Sequence, residues 1–126
     1  MFNAETHELL CLFATMVVAD KHVYAVEIDE FTESAIEFFA KIEHENTPSE
    51  ARLLMWFEIN RDNIRSKMTQ DDFEPWFENL MHRVAAVYPS KTVIEAMIKI
   101  AQSDNEVHIS EKALLMLVDK YWARAA

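Results

Sequence analysis

The chain has 126 residues, 51% of them apolar, with no glycine, three prolines, one cysteine, and 22 acids against 12 Lys and Arg, for a formal net charge of −10. Ordinary usage would place roughly nine glycines in a chain of this length. Their absence excludes a phosphate-cradling P-loop, a dinucleotide fingerprint, a standard EF-hand loop and the tight glycine hairpins of a sheet protein. The charge excludes nucleic acid as a partner, because affinity for phosphate comes from clustered Lys and Arg that release counterions; cations or a basic protein surface suit this field better.

In chain order, the N-terminal stretch carries Glu5 and Glu8 where a secretory leader would carry positive charge. The apolar run after it is too short to span a bilayer, so a cytoplasmic protein without direct membrane insertion is expected. Leu9, Leu10, Leu12, Phe13, Met16 and Val17 cover nearly the whole circumference of a first helix and predict a central hub. Cys11 lies in that run; having no second cysteine to pair with, it reads as a small buried hydrophobe.

A second helix repeats apolar residues at Ile28, Phe31, Ala35, Phe38, Phe39 and Ile42, with Glu30, Glu33, Glu37 and Lys41 on other faces. Asn46 supplies a left-handed stop in a chain without glycine. Thr47-Pro48-Ser49-Glu50 combines an N-cap, proline at the first helical position and a capping-box acid, and starts a third helix with Leu53, Leu54 and Phe57 on its apolar face. The polar stretch Asn60-Arg61-Asp62-Asn63 is a potential break before Ile64 and Met68.

Thr69 and Asp72 form a second capping pair ahead of a fourth helix that buries Phe73, Trp76, Phe77, Leu80, Val84 and Val87, with Pro75 tolerated in its first turn. Pro89-Ser90 ends it and caps a fifth, whose apolar positions are Val93, Ile94, Met97, Ile98 and Ala101. Ser110 caps a sixth with Leu114, Leu115, Val118, Tyr121 and Trp122 on one side. The expected fold is therefore all-α: one domain over residues 1–126, a compact bundle of six helices, or seven if the third is broken.

One segment returns along this chain. Val17 to Glu27 contains Asp20, Val23 and Glu27, and 84 positions later Ala101 to Glu111 contains Asp104, Val107 and Glu111. Each copy sits between apolar helical patterns, so the bundle holds a duplicated helix-loop-helix core with a carboxylate entering and leaving each loop. An acid at a helix C-terminus faces the negative pole of the macrodipole and calls for compensation.

Two solutions stand side by side. In the first, each Asp accepts backbone N–H groups of its own loop, the valines plug the core and the glutamates sit at the positive start of the next helix, with no ligand required. In the second, the paired units bring Asp20, Glu27, Asp104 and Glu111 together around a hard divalent cation such as calcium or magnesium, with Asp29, Asn105, Glu106 and backbone carbonyls as further oxygen donors. Two like charges about 6 Å apart repel by roughly 3 kcal/mol at an effective dielectric near 20. Either a divalent ion or a basic side chain such as Lys21 offsets that repulsion. His22 and His108 lie in the same loops and would turn the preference toward zinc or another transition metal.

The run of an apolar helix into a small residue and Asp, then Val at the third following position and Glu four residues later, resembles the TerB-like tellurite-resistance family. Ala19-Asp20 to Glu27 and Ser103-Asp104 to Glu111 carry the resemblance. In that family the Asp is typically followed by glycine, where this chain has Lys21 and Asn105. The resemblance implies an all-helical fold on a duplicated core, an acidic metal-binding face, and work as a non-enzymatic interaction module in stress-response or membrane-associated assemblies. The alternative is a metal-free scaffold that docks a basic protein through its acidic face. A protein partner is expected in both.

Tellurite itself is an oxyanion that clustered carboxylates would repel; an anion site would have to use Arg61, Arg65 and Lys67. Their plainer reading is a solvated face balancing nearby acids. A carboxylate-bridged di-iron site is excluded, because the residues three before His44, His82 and His108 are Lys41, Asn79 and Asn105. A zinc-protease motif starting at His44-Glu45 is excluded by Pro48 at the place of its second histidine. Of the aromatic pairs Trp56-Phe57 and Trp76-Phe77, Trp56 departs from the Leu53, Leu54 and Phe57 face and is expected at a partner-binding patch.

Overall fold

The apolar run at 9–18 decides the architecture. It leaves no charged residue on any face of its helix, and a helix apolar all round is stable only when enclosed. In the computed structural model, which describes residues 2–20, 24–42 and 47–101, this helix is α1 (Ala4–Asp20), followed by α2 (Tyr24–Ile42), α3 (Glu50–Met68), α4 (Phe73–Val87) and α5 (Ser90–Ala101). The surroundings of side chains are given for 2–18, 28–42, 47–89 and 91–100. All regular structure among the described residues is helical.

Every residue of α1 from 9 to 18 is buried, and the helix touches each of α2, α3, α4 and α5. The expected hub is thus the observed one. Its buried hydroxyl is satisfied internally, as Thr15 Oγ1 donates to the Cys11 carbonyl at 2.7 Å. Around it, α2 contributes Phe31, Ala35, Phe38 and Phe39 along the expected stripe, and the core continues through Leu53 and Phe57 of α3, Phe77, Leu80 and Val84 of α4, and Val93 and Met97 of α5. Aromatic contacts knit the layers: Phe13 meets Phe38 edge-on at 5.3 Å, and Phe31 packs against Phe57 at 4.8 Å. Arg83 of α4 pairs with Glu8 of α1 at 2.6 Å, and Lys99 of α5 pairs with Glu37 of α2.

Several local expectations are corrected. The described residues hold five helices rather than six or seven. The seventh would have come from a break at 60–63, but α3 runs through it. Ile64 is 4% exposed and continues the buried face, Asp62 and Asn63 lie on the exposed side, and the half-buried Asn60 donates from Nδ2 to the Trp56 carbonyl at 2.8 Å, within the helix. The sixth, at Ser110 with Leu114, Leu115, Val118, Tyr121 and Trp122, lies outside the described residues, as do Asn46, Val23 and Val107.

The cap of α3 is Ser49, two residues later than expected: its extended backbone (ψ 151°) turns its hydroxyl to the Arg52 N–H at 3.3 Å, while Pro48 is buried ahead of the helix. Thr69 and Asp72 do not form a capping pair. Thr69 closes α3, with Oγ1 donating to the Ser66 carbonyl at 2.8 Å, and Asp72 precedes α4 without a side-chain cap because its carboxylate is held by Lys67 at 2.9 Å. Three other positions change sides. Glu30 is buried, whereas Val87 and Ile98 are 46% and 38% exposed, and Met81 and Ile100, which lie on other parts of the same helices, are buried.

Candidate functional site

The repeated acidic corners begin where α1 stops. Asp20 is its last residue, and that last turn contains no basic residue, so the helix itself offers no compensating charge at its negative pole. Glu27 follows on α2, three residues after Tyr24. The side chains of both, together with all of Asp104 and Glu111, lie outside the described residues; so do Lys21, His22, His44, Asn105, Glu106 and His108. Among the described residues, no group of three or more His, Cys, Asp or Glu is placed to hold a metal ion.

The same helix builds a second acidic feature. The spacing of Asp29, Glu33 and Glu37 puts them on one side of α2, and with Glu50 at the start of α3 they line an open groove of about 450 Å³, floored by Thr32 and Ile36. Thr32 Oγ1 donates to the Ile28 carbonyl at 2.9 Å and leaves the groove to the carboxylates. Lys99, reaching over from α5, engages Glu37 and offsets one of the four charges. Sequence reasoning placed Glu33 and Glu37 on the outside but did not foresee Glu50 opposite them, because that contact depends on how α3 returns beside α2.

The expected patch at Trp56 is corrected. Its indole is 7% exposed, stacked on Phe31 at 5.4 Å with the planes 10° apart, and Nε1 donates to His7 Nδ1 at 2.9 Å. An indole N–H can only donate, so His7 Nδ1 must accept, which leaves the imidazole proton on Nε2, 3.6 Å from Cys11 Sγ. Cys11 is buried, as expected. Burial first, then the carboxylate of Glu8, push its thiol up to about 12, against an opposing pull from Arg83, so it stays protonated and inert.

The exposed apolar residues of α3 are Met55 and Ile59, at 66% and 67% exposure, beside a mostly apolar groove of about 420 Å³ that reaches Phe2 and Arg52. They were missed, although the helical period shows them: once Leu53, Phe57 and Ile64 define the inward face, positions 55 and 59 fall on the opposite one. Arg52 sits over the Phe2 ring at 4.5 Å.

The basic stretch is drawn into local ion pairs. Arg61 reaches Asp62 at 3.4 Å, and Lys67 donates to Asp72, whose carboxyl is held below its ordinary 3.8 chiefly by that hydrogen bond. Oxyanion binding would have to compete with these acids.

A hub helix enclosed by partner helices, with a row of acids along the helix that follows it, makes an all-helical acidic bundle. The family model described as "Tellurite resistance protein TerB" matches residues 6–121, nearly the whole chain, and the protein belongs to the TerB family. No curated protein and no solved structure matches it. No helix among the described residues is long and apolar enough to cross a membrane.

Proposed function

We propose that this TerB-family protein is a non-enzymatic, cytoplasmic interaction module that docks a basic protein surface through its acidic face. The observation that carries this reading is the row Asp29, Glu33 and Glu37 facing Glu50 across an open groove. Like charges brought together without burial cost the monomer little in water, and they concentrate a negative field where a partner's Lys and Arg gain most. A net charge of −10 steers such a partner from a distance.

An oligolysine peptide measures this directly by fluorescence anisotropy. Reversing Asp29→Lys together with Glu33→Lys is expected to weaken binding about tenfold, while the charge-matched pair Glu58→Lys and Glu74→Lys on other helices leaves it within about twofold. Equal weakening by both pairs would mean that only net charge matters, and the assignment of this face would fall.

A second reading adds a divalent cation such as calcium between the repeated loops, held by Asp20, Glu27, Asp104 and Glu111. It is supported by the end of α1, where Asp20 meets the negative pole with no base in the last turn. Calorimetric titration with calcium, magnesium, zinc and manganese tests it. Heat and a raised melting temperature, both lost in Asp20→Asn, are the expected result. Silence with all four ions, and no change in melting, removes the cation and leaves the docking module.

A further inference from the structure

Four residues of α3 form a stripe whose chemistry is complementary to its own reverse. Arg52, Met55, Ile59 and Asp62 are spaced three, four and three apart, which at 100° per residue confines them to an arc of about 80° on the helix. All four are exposed, and they face away from Leu53, Phe57 and Ile64. The spacing is that of alternating seam positions in a coiled coil. Set antiparallel to itself about a two-fold axis at the level of position 57, on the face opposite the Phe57 side chain, the stripe aligns Arg52 with Asp62 and Met55 with Ile59, and the axis repeats both alignments.

We propose that this stripe is the interface of a homodimer in which α3 packs antiparallel against α3 of a second copy. A two-fold contact requires a self-complementary surface, and this stripe is self-complementary in both charge and apolarity. The two apolar residues lie in the middle and the opposite charges at the ends, so dimerisation covers Met55 and Ile59 and places each guanidinium against a carboxylate at the solvated rim. The groove beside Met55 and Ile59, about 420 Å³, has room for the partner's apolar side chains. Among the described residues, Asp62, with its side chain 89% exposed, is engaged only by its neighbour Arg61 at 3.4 Å, which leaves acceptor positions on its carboxylate for the partner's Arg52. Helices of this type pack with axes 8–10 Å apart. One helix pair covers less than the ~800 Å² per partner of a standard interface, so the dimer is expected to dissociate on the order of tens of micromolar. The surface is separate from the acidic face of α2 and stands or falls independently of it.

Sedimentation equilibrium over ~5–500 μM protein is expected to show the mass rising from monomer to dimer. Arg52→Glu and Asp62→Arg, each made alone, set like charges opposite one another twice per dimer and should move the midpoint at least about tenfold higher. The Asp62→Arg variant is the sharper of the two, because it lowers the net charge of −10 and would strengthen association if bulk repulsion were in control. The double variant Arg52→Glu/Asp62→Arg swaps the pairs and should return the midpoint to within about threefold of the starting protein. Both positions are exposed, so far-ultraviolet circular dichroism should be unchanged throughout. A protein that stays monomeric at the top concentration overturns the proposal. So do single reversals that leave the midpoint in place, and so does a double variant that fails to recover.

Discussion

Helices α1 and α3 carry similar shares of large apolar side chains, yet α1 is buried on every side from 9 to 18 while α3 leaves Met55 and Ile59 about two-thirds exposed. What separates them is the chemistry of the remaining positions. Between residues 9 and 18 the only polar groups of α1 are Cys11 and Thr15, and each is small enough to be enclosed and bonded within the helix or to His7. In α3 the remaining positions include the exposed Arg52, Glu58 and Asp62 and the half-buried Arg61, Arg65 and Lys67, whose charges keep much of the circumference at the solvent. Apolar residues beyond what the inward face can use are then left on the surface, and they become material for contacts between molecules.

The comparison predicts a large asymmetry in stability. Phe13, fully buried in α1 against Phe38, should cost about 3–5 kcal/mol when cut to alanine, whereas Ile59→Ser in α3 should stay within about 0.5 kcal/mol. Urea unfolding of dilute protein, where self-association is absent, measures both. Comparable losses from the two substitutions would mean that α3 is enclosed on a second side and that the contrast between the helices is false.

This contrast also marks how far the sequence could be read. The hub was legible because ten successive positions without a charge leave a helix no choice of face. The stripe of α2 at Phe31, Ala35, Phe38 and Phe39 was legible from its period alone. Asn60-Arg61-Asp62-Asn63 misled because polarity was read as a break, when Asp62 and Asn63 take the exposed side and Asn60 and Arg61 the half-buried flank of a helix already anchored by Phe57 and Ile64. Trp56 misled for a related reason: its angle on the helix puts it at the edge of the buried face, and only the third dimension supplies His7 as acceptor and Phe31 as stacking partner. Glu33 and Glu37 were placed outside the core by their spacing, but neither their alignment with Asp29 nor Glu50 opposite them was read, since nothing local says which helix returns beside which.

The hub also predicts an alkaline weakness. In the folded protein burial raises the Cys11 thiol to about 12, above the ordinary thiol value of 9.0 that holds in the unfolded chain. A raised pKa means the folded state keeps its proton longer, so this stabilising contribution is whole below about pH 9 and is lost as pH rises toward 12. Across that window the loss has a limiting slope of about 1.4 kcal/mol per pH unit. Denaturant unfolding of the native chain and of Cys11→Ala at rising pH should show the native chain losing stability faster. Parallel curves would mean that the thiol is reached by water and the hub is less closed than α1 indicates.

Where the two helices meet, Trp56→Phe keeps an aromatic ring to pack on Phe31 but removes the N–H donated to His7 together with part of the buried indole. Because His7 is exposed enough for water to replace the lost donor, the cost should be about 1–2 kcal/mol, below that of Phe13→Ala. The imidazole then loses the bond that fixes its tautomer, and its nitrogen-15 shifts should move toward a mixture of both forms. Unchanged shifts would show that the helix contact alone orients the ring.

The smallest effect belongs to the far end of α3, where electrostatics act with the opposite sign to Cys11. Lys67 holds the Asp72 carboxyl below 3.8, chiefly through its hydrogen bond. A lowered pKa contributes stability that is present above the unfolded value and fades as pH falls through the folded one, so acid removes it just as alkali removes the contribution of Cys11. Asp72 is fully exposed, and water and salt screen the pair. The melting temperature should therefore barely respond to Lys67→Met, while a carbon-detected NMR titration of the Asp72 carboxyl should show its midpoint rising toward the ordinary aspartate value. A midpoint that stays low in that variant would assign the shift to backbone N–H groups between α3 and α4, and Lys67 would then be free to serve a partner.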